Sequence, residues 1–124
     1  MSKIRDIVTV VIVIISLSLA SFPVAAQTAQ SHAVAIESNS IVSGSAMVGY
    51  GGGYLTGVIS SNIAVRVVIY NNGVPIHDET STYHHFPYNH LDKGFMGIFV
   101  INEYALVATV SYRLTVGHHD IILS

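Results

Sequence analysis

The chain has 124 residues, a formal net charge of −2 and seven histidines, a balance too poor in cations to neutralise a run of phosphates. Nucleic acid is excluded as a partner on that ground, and anionic membrane surfaces are disfavoured by the same count. Cysteine is absent, which removes disulfides and any lipid attachment to a cysteine.

The first 26 residues read as a signal peptide. Lys3 and Arg5 give a positive start, Ile7 to Ala20 an apolar stretch and a helix, Pro23 a break, and Val24-Ala25-Ala26 small residues for cleavage before Gln27. The alternative is an uncleaved anchor, because the segment from Ile7 to Ala26 can just cross a hydrocarbon core of about 30 Å. Either reading places the chain outside the cell or at its surface, touching the membrane only through an uncleaved leader.

Residues 27–124 then form a single domain. Its charges are sparse: Arg66, Lys93 and Arg113 against Glu37, Asp78, Glu79, Asp92, Glu103 and Asp120. Small exported domains commonly reinforce a thin core with disulfides. Without them, stability falls to packing, a metal or association.

The apolar period is two along nearly the whole of this part. Faint strands are read at Ala33 to Ser38, Ile41 to Tyr50 and Tyr54 to Ser60, with Gly51-Gly52-Gly53 between the last two. Ile63 to Tyr70 aligns Ile63, Val65, Val67 and Ile69, and Asn72-Gly73 supplies the two positive-φ positions of a type I′ hairpin turn. Pro75 makes the following arm an edge strand. Residues 77–94 lack a strand pattern and read as a long loop carrying "YHHFPYNH". Phe95 to Ile101 turns at Asn102-Glu103 into a long strand, Tyr104 to Val116, with Tyr104, Leu106 and Tyr112 on its core face. Asp120 to Leu123 closes the chain. About eight strands and no amphipathic helix predict an all-β fold, an antiparallel β-sandwich with an immunoglobulin-like arrangement as a guess at topology.

Chemistry concentrates in the histidines. His77, His84, His85 and His90, with Asp78, Glu79 or Asp92 as oxygen ligands, and His118 and His119 after Gly117, are the candidate metal ligands. Imidazole is the commonest metal ligand, and zinc, copper or nickel would suit such a set. His84 and His85 point to opposite sides of an extended backbone, so sharing an ion requires a twist. The competing reading is a solvated histidine-rich loop with no cofactor. Tyr50, Tyr54, Tyr83 and Tyr88 are candidate contacts for a glycan or a protein, because tyrosine joins a flat apolar ring to a polar tip.

Catalytic patterns are missing. "GYGGGY" lacks phosphate-loop spacing, and Ser45 does not sit in a nucleophile elbow. Asp78, Glu79 and Asp92 could converge as a sugar-hydrolysing pair, but six acids within residues 27–124 include some neighbours by chance, so they single out no catalytic pair. The sequence therefore predicts a non-enzymatic β-domain that associates with itself, as a self-assembling structural subunit, or with another surface protein. The Pro75 arm, "SHAVAIES" or "DIILS" would be the joining strand. An extracytoplasmic metal-binding domain is the alternative, and a tyrosine-based binding module the third reading.

Overall fold

The computed structural model describes residues 30–124, all strand, turn or loop. The leader and the proposed cleavage point before Gln27 lie outside these residues. Seven strands follow in order: β1 (His32–Ile36), β2 (Ser40–Val48), β3 (Gly53–Asn71), β4 (Val74–Leu91), β5 (Gly94–Asn102), β6 (Ala108–Val116) and β7 (His119–Asp120). Every ladder is antiparallel, and the strands form one curled sheet with β1-β6-β3-β5-β2 as its main path.

The curl originates in β3. Its first part, Leu55 to Ser61, pairs with β6, and its second part, Arg66 to Asn71, pairs with β5. Between them the register with β4 jumps from Ser60↔Tyr83 to Val65↔Ser81, leaving extra β3 residues around Ser61-Asn62. Such an irregularity bends a strand and re-aims its side chains. Leu55 and Ile59 before the bend, and Val65, Val67 and Ile69 after it, are all fully buried. They meet Phe86, Ile98, Val100, Val110, Leu114 and others in one core. The far side is closed by the C-terminal segment: Ser43 and Ser124 exchange two backbone hydrogen bonds of 3.0 Å, and Ile121 and Leu123 are buried.

Turn chemistry follows the sequence reading. Asn72 and Gly73 both have positive φ, 54° and 81°, as a type I′ turn between β3 and β4 requires. Three readings are corrected. Residues 77–91 are strand rather than loop, because His84, Phe86 and Leu91 supply a buried side that polar-looking letters concealed. The segments read as separate strands on either side of Ser61-Asn62 are one 19-residue strand. Tyr104 and Leu106 are exposed, and the last long strand begins at Ala108, because Asn102 captures the intervening loop by accepting from Tyr104 N and donating to Leu106 O.

Candidate functional site on the edge strand

β4 carries most of the residues with chemistry, and it is paired on one side only. Its ladder with β3 runs from Asn71↔Val74 to Gly53↔Leu91, and no other described strand bonds to it. β1 is likewise paired on one side only, with β6, but spans five residues, and β2 is flanked by β5 and the C-terminal segment. Among the described residues β4 is thus the long open edge, and prolines interrupt it only at positions 75 and 87.

The β3 irregularity decides which β4 side chains meet. In a straight strand residues 77 and 84 project to opposite faces. The bend reverses that parity: His77 stands opposite buried Ile69, and His84 opposite buried Ile59. Both imidazoles consequently turn inward, with ring centroids 5.7 Å apart, and His77 packs edge-on against Phe86 at 4.9 Å. Glu79, opposite Val67, lies on the same row as His77 but stays exposed. One ligand atom from each of His77, Glu79 and His84 falls within 4.8 Å of the others.

The hydrogen bonds fix the roles of the ring atoms. His84 is 3% exposed, and its Nε2 donates to Val65 O at 3.1 Å and Ser81 O at 3.2 Å. That bonding assigns the proton to Nε2 and leaves the Nδ1 lone pair free. Nδ1 has no hydrogen-bond partner, and neither does the buried Nε2 of His77. Burial holds the His77 pKa below its ordinary value, opposed by the nearby Glu79 carboxylate. Two imidazoles and one carboxylate are thus brought together where the bend of β3 places them.

The other sequence candidates lie elsewhere. His85 projects to the outer face, against Tyr83. His90 packs on Tyr54 at 5.5 Å and is 3.8 Å from Asp92. His118 and His119 line a surface cavity of about 220 Å³ with Met47, Gly52 and Val116. Tyr54 and Tyr88 meet edge to face at 5.5 Å, whereas Tyr50 stacks under Lys93 Nζ at 3.7 Å. Asp78 is taken by a two-pronged pair with Arg66, both bonds 2.8 Å, which holds its carboxyl below the usual range. A contact absent from the sequence reading is His32 Nε2 to Asp120 Oδ2 at 2.6 Å, which ties β1 to β7. Its two residues are 88 positions apart, so no local pattern signals it.

No protein-family model matches the sequence, and no curated protein matches it.

Proposed function

We propose that this chain is an exported, non-enzymatic β protein that works at the cell surface or outside the cell by associating with further copies of itself. The observation that carries the reading is the free side of β4, an 18-residue strand bonded to β3 alone. An open edge presents a row of unpaired N–H and C=O groups, and a second strand can satisfy them. The stretch 76–86 has no proline to interrupt such a ladder.

The partner strand is β4 of another copy. "SHAVAIES" also has one free side, since β1 bonds to β6 alone, but it offers five strand residues against the 18 of β4, and "DIILS" is already bonded to both β6 and β2. An antiparallel β4 to β4 pairing is self-complementary, as a two-fold contact must be. Support also comes from the outer face of β2, β3 and β5. Ile41, Val68, Tyr70, Phe99 and Ile101 line a shallow groove there, with Met47 70% and Phe95 50% exposed nearby. β5 is thus apolar on both faces, a composition that in globular sheets goes with cover on both sides.

The finer fold reading belongs to the same proposal: the bend of β3, serving β6 with one half and β5 with the other, supports two stacked layers in a sandwich. The immunoglobulin-like order and the 27–124 domain boundary stand with it.

The test is light scattering after size exclusion, with negative-stain images, on the full chain expressed with its leader and characterised by intact mass. Dimers or filaments that grow with concentration are expected. A strict monomer at about 1 mM, where even a Kd weaker than 100 μM would show, contradicts the reading.

A further inference from the structure

We propose that His77, Glu79 and His84 form a binding site for a divalent transition metal of the zinc and copper class. The donor set decides the class: two imidazole nitrogens and a carboxylate suit zinc, copper or nickel, whereas magnesium and calcium take oxygen donors.

His84 supplies the independent evidence that the cluster is built to hold a ligand. Its ring is buried beside that of His77, its Nε2–H is spent on the carbonyls of Val65 and Ser81, and its Nδ1 is left without a partner, while one ring nitrogen lies within 4.8 Å of a ligand atom of both His77 and Glu79. Metal-binding histidines characteristically donate the second ring N–H to a carbonyl or carboxylate, which fixes the tautomer and raises the basicity of the ligating nitrogen. A buried polar atom left unpaired is costly, and here two such atoms, His84 Nδ1 and His77 Nε2, belong to rings whose centroids are 5.7 Å apart. An ion satisfies both together.

The spacing is within reach of coordination. Zinc bonds of about 2.0–2.2 Å in a tetrahedron put neighbouring ligand atoms about 3.3–3.5 Å apart, against separations of up to 4.8 Å in the cluster. Glu79 is exposed and free to rotate inward, and His77 is only half-buried, so closure moves side chains at the open edge and leaves the His84 anchor in place. Three protein donors leave a fourth position for solvent.

The experiment is calorimetric titration of the chelator-treated full chain with ZnCl2, repeated with MgCl2. One zinc per chain with a Kd of about 10 μM or tighter is expected, with no magnesium binding. His77→Ala and Glu79→Gln each weaken zinc by about ten-fold or more, and both act from the accessible side, so the result does not depend on a His84 variant that fails to fold. His85→Ala, one residue from the anchor but on the opposite face, leaves affinity unchanged. Absence of saturable zinc binding overturns the proposal. So does binding that survives His77→Ala and Glu79→Gln, or that is lost on His85→Ala or on joint replacement of His118 and His119 by alanine.

Discussion

Asn102 is fully buried, yet its amide is completely engaged: Nδ2 donates to Ile36 O, Glu37 O and Leu106 O at 3.0, 3.1 and 2.6 Å, and Oδ1 accepts from Tyr104 N at 3.0 Å. Replacement by alanine strands three carbonyls and one N–H, at a cost of about 2–4 kcal/mol in denaturant unfolding. Asn102→Asp, which turns acceptors toward those carbonyls, should be worse. Gly57 is constrained differently, with φ at 139° and an added Cβ driven into the carbonyl of Arg113. Gly57→Ala is expected to cost about 3 kcal/mol or more, because both backbone strain and β3–β6 spacing are violated. His77 gives a pH signature. Its folded pKa lies below the unfolded value of about 6.5, so the unfolded chain binds the proton more readily. Its contribution is absent above pH 6.5, becomes destabilising as pH falls through that value, and levels off below the folded pKa. Glu79 and Asp78 oppose this shift and His84 adds to it, while Arg66 on β3 is engaged with Asp78. Chelator-treated protein should therefore lose stability from pH 7 to 5, and His77→Gln should flatten that slope.

At the scale of the element, β4 is both the edge and the carrier of the histidine cluster. Thr82→Lys combined with Tyr83→Lys places two charges at exposed positions in the middle of the edge. The pair should abolish association in light scattering while shifting monomer stability by less than about 1 kcal/mol, as edge lysines do in natural sheets. β4 also marks where sequence reading reached its limit. The Asn72-Gly73 turn and the alternating burial of β6 are legible, because they depend on local backbone preference and on period two. The strand character of "YHHFPYNH" is not, since a buried imidazole and a buried phenyl alternate with exposed rings of similar composition. Nor is the meeting of His77 with His84: it depends on extra residues in β3, a different strand, whose only trace in sequence is the polar Ser60-Ser61-Asn62 interruption. The His84/His85 opposition, by contrast, follows from strand geometry alone.

In the molecule as a whole, the curl is secured at the C-terminal segment. Ile121 and Leu123 are each 3% exposed, Leu123 N donates to Tyr112 Oη at 2.9 Å, and Ser124 bonds to Ser43. Truncation after Asp120 removes two buried side chains worth about 2 kcal/mol each and uncovers the outer side of β2. Stability should fall by about 4 kcal/mol, and the shortened chain should aggregate through the newly opened side of β2. The intact chain keeps that side covered and leaves open only the five-residue β1 and the 18-residue β4, so β4 is by far the longer free edge among the described residues. Hydrogen exchange of the backbone amides of residues 76–86, followed as protein concentration is raised, reads this edge directly. Protection that rises with concentration in β4, and vanishes in the Thr82→Lys, Tyr83→Lys variant, is the predicted result. Outward amides of β4 that exchange freely at every concentration would contradict it.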